Sequence, residues 1–242
     1  MKLRLLVACL FSLPLMVQGQ EMQQPNVPQW LQDFSNMPRT QREAFSHVFN
    51  EAKHCYQQQQ WAACLVKLNE CDGIFARNPS IQTLRVACYQ EMELYAEALA
   101  IVEQQLLLNP DDVISQYNLS SIYMGMQNYQ KCVDVTEHLL KSISMEEYEK
   151  FRDLLNFRLF VCILALGDEK RALKIVDYCS IMDDSPLYYM VQSVLSLYQK
   201  DRQKALDNLK SAQQIYGNTP NMNAYEKCLK KSGFVSDWDI TI

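Results

Sequence analysis

Glycine is scarce in this chain, with six in 242 residues, and histidine is scarcer still, with three. Backbone turns that cradle phosphate need glycine, and neither a glycine-rich phosphate loop, nor a GxSxG elbow, nor an HExxH pair occurs. No CxxC occurs either, which argues against a thiol-redox centre and against a zinc ribbon. The histidines are His47, His54 and His138. His54 and Cys55 are adjacent, so they point to different faces of a helix, while His47 and His54, seven apart, share one. After residue 17 no apolar run is long enough to span a membrane. A basic excess is also lacking: 23 Lys and Arg stand against 28 Asp and Glu, which disfavours nucleic acid as a partner. Acidic pairs such as Asp111-Asp112 and Asp183-Asp184 fall where helices begin, where carboxylates satisfy exposed N–H groups. These absences leave no catalytic residue, no metal ligands and no cofactor to assign, and the expectation is a non-enzyme.

What the chain does have is a period. Five small residues, Cys64, Ala98, Cys132, Ala172 and Ala205, recur at steps of 34, 34, 40 and 33. A helix pair of that length cannot bury its own apolar face, so successive pairs must stack into an all-α solenoid. Where antiparallel helices approach closely, a small side chain lets the backbones meet, and a bulky one a turn later, such as Val102 after Ala98, fills the space beside it. The clearest unit ends at Asn109-Pro110 and carries Tyr89, Ala98, Val102 and Gln105. The next has Leu119, Tyr123, Tyr129 and Cys132. The first has Trp61, Cys64, Leu68 and Cys71, with Pro79 three residues late, which reads as a slightly enlarged loop over 72–78. The fourth has Leu159, Gly167, Ala172, Val176 and Cys179 after an insertion near 142–150. The fifth, with Ala205, Leu209 and Ala212, is the weakest, since Gln192-Ser193 replaces Leu-Gly.

This pattern resembles the tetratricopeptide repeat, over about 45–79, 80–112, 113–145, 151–184 and 186–216, or residues 43–216 in all. Counting the recurrent small residue as slot 20, the resemblance implies that slots 2, 5, 9, 12 and 13 of each first helix face a concave groove. The side chains it places there include Tyr117, Ser121, Met124, Phe157, Val161, Met190, Val194, Leu197 and Tyr198, an apolar C-terminal half that suits a partner's helix or strand. The same residues read as ordinary core if curvature or the C-terminal tail covers them. Some family members hold a terminal carboxylate with cations at fixed slots. Here those slots carry Phe49, Lys53, Leu84, Ile114 and Asn118, and no clamp of that kind is expected.

The ends differ from the repeats. Residues 1–19 combine Lys2 and Arg4 with an apolar stretch and read as a secretory signal peptide. Its removal takes both cations, moving the formal charge from −5 to −7. A lipoprotein reading, with Cys9 acylated, is the alternative. Residues 20–42 are rich in Gln and Pro and read as a tether, in which Trp30, Leu31 and Phe34 form either a cap for the first repeat or a docking motif. Residues 217–242 read as a capping helix over 224–232 and an apolar tail whose last residues alternate like a strand.

Eight cysteines follow the leader. They are either free packing residues or partly bridged, with Cys55–Cys64 and Cys71–Cys88 the pairs expected first. The leader and the resemblance together imply an exported, periplasmic or outer-membrane-associated bacterial protein, a non-enzymatic scaffold for another envelope protein or peptide segment. Two alternatives remain open at this point: a thiol or metal protein using His54 and Cys55, and a self-assembling structural protein.

Overall fold

Twelve α-helices and no strand occur among the residues described by this computed structural model, which are 27–143, 149–182, 184–217 and 219–233. The leader, the C-terminal tail and most of the insertion before the fourth repeat lie outside them. The chain divides into two compact units, Met1–Met37 and Pro38–Ile242. Among the described residues the first holds one helix, α1 (Gln29–Asn36), which carries Trp30, Leu31 and Phe34 and has no buried residue.

The second unit is built of helix pairs: α2 (Arg39–Gln57) with α3 (Trp61–Phe75), α4 (Pro79–Glu91) with α5 (Tyr95–Leu108), and α6 (Val113–Gly125) with α7 (Tyr129–Ser142). Then come α8 (Glu149–Ala165) with α9 (Glu169–Val176), α10 (Leu187–Tyr198) with α11 (Arg202–Tyr216), and a last helix, α12 (Pro220–Lys231). Each helix from α2 through α11 packs on the next, and α2 on α4, α4 on α6 and α8 on α10 also touch, which is the stacking of a solenoid.

Two features recur at fixed places in all five pairs. Cys64, Ala98, Cys132, Ala172 and Ala205 are each fully buried, as close helix approach demands. Five residues before each, the backbone turns through the left-handed region, at Gln59, Glu93, Gln127, Gly167 and Lys200, with φ between 56° and 81°. One left-handed residue ends the first helix of each pair and aims the chain back along it.

Caps explain many of the helix starts. Asn78, Asp112, Asn128, Asp168, Asp201 and Thr219 each accept a backbone N–H from the first turn of the helix that follows. Asp112 therefore does what its position in the sequence suggests. Pro28 and Pro38 directly precede α1 and α2. Prolines that read as tether are thus helix starts, and helix begins at Arg39 rather than at 43.

Three local readings need correction. Residues 72–75 continue α3 instead of forming a loop, so the late Pro79 reflects a longer helix. Cys179 lies beyond the end of α9 at Val176, so it packs against the core from the segment after the helix and not from the helix itself. Ser193, at the weak Leu-Gly position of the fifth repeat, is buried and donates its hydroxyl proton to the Ala205 carbonyl at 2.9 Å. That bond supplies the close helix contact that glycine would have allowed.

Candidate functional site: the groove and the helix that fills it

The first helices of the repeats form the inner side of the solenoid, and α12 lies against two of them, α8 and α6, as well as against α11. Its register follows from its own sequence: Met222, Tyr225, Cys228 and Leu229 make one apolar stripe, and all four are buried. Tyr225 meets Phe157 of α8 with ring centroids 5.1 Å apart and shares a hydrogen bond of 3.2 Å with Ser185. The Cys228 thiol donates to the Met124 sulfur of α6 at 3.6 Å. At the end of α12, the Tyr129 hydroxyl donates to the Ser232 carbonyl at 2.7 Å.

This docking corrects the groove read from the sequence. Phe157, Val161, Met190 and Val194 are fully buried in one core cluster, Leu197 is 2% exposed, and Met124 is 1% exposed. Tyr198 is partly buried against the same cluster. Packing of α8, α10 and α12 removes these side chains from water, so they do not line an open apolar surface. Tyr117, Ser121 and the edge of Met124 remain on a cavity.

That cavity, of about 180 Å³, lies where α2, α4, α6, α8 and α12 converge. Its lining includes Tyr56, Gln90, Glu91, Tyr117, Asn118 and Ser121 together with Arg158, Lys227 and Lys231. Arg158 is 3% exposed. Its Nη1 donates to the Tyr117 carbonyl at 3.0 Å and to the Ser120 hydroxyl at 2.7 Å, and its guanidinium stacks 4.4 Å from the Tyr117 ring centroid. Its Nε is buried and has no hydrogen-bond partner among the described residues. Glu91 pairs with Lys227 at 3.2 Å and with Lys231 at 3.7 Å. Burial pulls the Lys231 ammonium below its usual pKa, against the opposing pull of Glu91, and pushes the Tyr56 hydroxyl up, with Glu91 adding to the push. Three cations thus face one carboxylate in a chain whose net charge is −5.

Slot-by-slot comparison missed this cluster because two of its three cations come from the capping helix, which occupies no groove slot. The signal that was available is the Lys227–Lys231 spacing, one helical turn apart beside the apolar stripe of α12.

A second, open hollow of about 470 Å³ is lined by His47, Asn50, Glu51, His54, Cys55 and Lys67. His47 and His54 do share a face there. Among the described residues, however, no three His, Cys, Asp or Glu side chains converge as metal ligands. All eight cysteines of the described residues are free thiols, and neither Cys55–Cys64 nor Cys71–Cys88 is bridged. No helix among the described residues is long and apolar enough to cross a membrane.

Comparison with known proteins places the fold. No protein-family model matches the chain. Human sperm-associated antigen 1 is 27% identical over 124 residues, 49% of this chain, and the mouse protein is 23% identical over 188 residues, 77% of this chain. The matched regions span only 13% and 20% of those relatives. Among solved structures, TTC0263, a thermophilic TPR protein of Thermus thermophilus, superposes with a TM-score of 0.58 at 13% identity. The match covers 77% of this chain and 99% of that one. A tetratricopeptide repeat protein of Parabacteroides merdae matches with a TM-score of 0.46 at 16% identity, over 78% of this chain and 84% of that one.

Proposed function

We propose that this chain, a solenoid with the tetratricopeptide-repeat fold, is a non-enzymatic scaffold of a bacterial envelope that holds an acidic segment of a partner protein in the cavity beside α12. The observation that carries the reading is the cation excess at that cavity, with a buried guanidinium nitrogen that has no hydrogen-bond partner among the described residues. At about 180 Å³ the cavity falls short of the roughly 300–1,000 Å³ that drug-sized ligands fill, so its dimensions suit a side chain or a chain end. A carboxylate there would complete the hydrogen bonding of Arg158 and share Lys227 and Lys231 with Glu91. Tyr117 and Tyr56 supply flat apolar walls for the rest of the segment.

Export rests on the leader pattern of residues 1–19 and is tested by expressing the full chain in a bacterium and sequencing the N-terminus of the accumulated protein. A chain beginning near residue 20 is expected, and one retaining Met1 in the cytoplasm would remove the envelope setting.

The binding reading is tested with a displayed library of random peptides selected on the purified protein. Enrichment of Asp or Glu at one position is expected, weakened by salt and lost with Lys227→Gln. Because Lys231 gives up its proton more readily than an ordinary lysine, binding should also decline at a lower alkaline pH than free lysine titration would imply. Peptides selected without acidic preference, or none selected, would overturn the reading.

A further inference from the structure

The cavity beside α12 sets Arg158, Lys227 and Lys231 against Glu91 alone. Both hydrogen bonds from the Arg158 Nη1 end on neutral groups, and its Nε has no partner among the described residues. The stretch that follows α12 carries charge of the other sign. Residues 234–242, with the sequence FVSDWDITI, lie outside the described part of the chain, and their only charged side chains are Asp237 and Asp239. With Glu91 these two would set three carboxylates against three cations. The exit of α12 directs the stretch toward them. Just past the helix, Gly233 has a φ of +69° and donates its N–H to the Lys230 carbonyl at 3.4 Å. A left-handed residue at that place turns the chain back along the helix it leaves. A Cβ on Gly233 would come within 2.8 Å of the Gln127 Nε2, so the side toward the α6–α7 turn is already filled. Reach and spacing agree with that direction. Lys227 lies about 9 Å before Gly233 along the helix axis, and Asp237 can extend at most about 14 Å beyond it. Lys227 and Lys231 stand about 6 Å apart along the axis. In an extended segment Asp237 and Asp239 would share one face at about 6–7 Å.

We propose that residues 234–242 are the resident occupant of this cavity, with Asp237 and Asp239 against Lys231, Lys227 and Arg158, and that an acidic segment of a partner enters by displacing them. The inference rests on the reading of the cavity as a receiver of acidic segments and adds which segment holds it when no partner is bound. A segment tethered by a few residues acts at an effective concentration on the order of 1 mM, so it fills a site even where the same peptide, free in solution, binds weakly. A charge-assisted hydrogen bond from a carboxylate would partner the buried guanidinium at rest. A partner then needs either a tighter acidic segment than Asp237–Asp239 or further contacts of its own, which makes the stretch a selectivity device for the cavity.

The probe is a synthetic peptide of residues 234–242, dye-labelled at its amine and amidated at its other end so that the two Asp side chains carry its charge. It is titrated by fluorescence anisotropy into the full chain and into the full chain bearing Asp237→Asn with Asp239→Asn. These substitutions keep side-chain shape and lie beyond α12, and circular dichroism should show both forms equally helical. The peptide is expected to bind the Asn form at least roughly tenfold more tightly than the native form, because only the native stretch competes with it. Adding Lys227→Gln to the Asn form should weaken that binding, as should salt. Equal affinity for both forms would overturn the proposal, and so would no binding to either, or binding indifferent to Lys227→Gln. Sedimentation keeps one chain distinct from two: a monomer is expected, and a dimer dissolved by the Asn substitutions would place the stretch in the cavity of a second copy and overturn the proposal as stated. Selection of random peptides on the Asn form decides the cavity reading separately, since acidic peptides enriched there would sustain that reading even if residues 234–242 do not bind.

Discussion

The Phe157 and Tyr225 rings meet at a centroid distance of 5.1 Å and join α8 to the last helix of the chain, with both side chains fully buried. Phe157 is therefore core, and its truncation should be costly. Phe157→Ala is expected to lower the unfolding free energy by about 3–5 kcal/mol in urea titration, and Phe157→Asp to prevent stable folding. Tyr117→Asp, by contrast, alters the cavity lining and should leave a helical, folded protein. A stable Phe157→Asp variant would mean that α12 does not cover α8.

Removal of α12 should expose what it covers. A chain ending at Gly217 would lay open Phe157, Met124 and their neighbours as a contiguous apolar surface. It is expected to retain most of its helicity while binding an apolar dye and associating with rising concentration. The full chain should do neither. Equal dye binding by both would show that the apolar face is covered by something other than α12.

Gly167 adopts φ +81°, and a Cβ placed on it would meet nothing within 4 Å. Substitution there is thus a test of backbone strain alone. Gly167→Ala should cost about 1–2 kcal/mol, the penalty of a side chain in the left-handed region. Lys200 bears the same conformation at the equivalent turn, with φ 65°. Lys200→Gly should stabilise by up to about 1 kcal/mol, after the entropy that glycine loses on folding is subtracted. Chemical denaturation of both variants checks the pair of signs.

The repeat architecture was legible because it is local and periodic. Ala98 and its four counterparts mark close helix contacts, and the structure buries every one of them. Gln59, Glu93, Gln127 and Lys200 could not be recognised as left-handed turns from residue type, since only Gly167 has the side chain that conformation favours. Less legible was the destination of α12. Its contacts run from Cys228 to Met124 and from Ser232 to Tyr129, more than a hundred residues apart, and no spacing rule encodes such a relation. The apolar stripe of Met222, Tyr225 and Leu229 announced that α12 needed a surface, without saying which. The cavity followed the same logic: Arg158, Lys227 and Glu91 belong to three elements that only the folded chain assembles.

Alkaline pH should erode stability in two stages that can be separated by mutation. Burial, with Asp72 and Glu70 adding to it, raises the Cys71 thiol to about 11 in the folded chain, whereas an unfolded thiol titrates near 8.5. Below about pH 8.5 neither state has lost that proton and the stabilisation is intact. Between about 8.5 and 11 the unfolded chain releases it first, so stability falls as pH rises. Tyr225 repeats the pattern higher up: burial pushes its hydroxyl above the ordinary value of about 10, and a further decline begins there. Lys231 opposes the trend, because its lowered folded pKa makes stability rise with pH until the unfolded lysine titrates near 10.4. Urea midpoints measured in steps from about pH 7 to 11, with reductant present, should therefore decline from about pH 8.5. Cys71→Ala should lessen the first stage, to which the Cys228 thiol, raised by burial to about 11, also contributes, and Tyr225→Phe should lessen the second, to which the Tyr56 hydroxyl, raised by burial, also contributes. A decline unchanged by either substitution would assign the alkaline loss to groups other than these two.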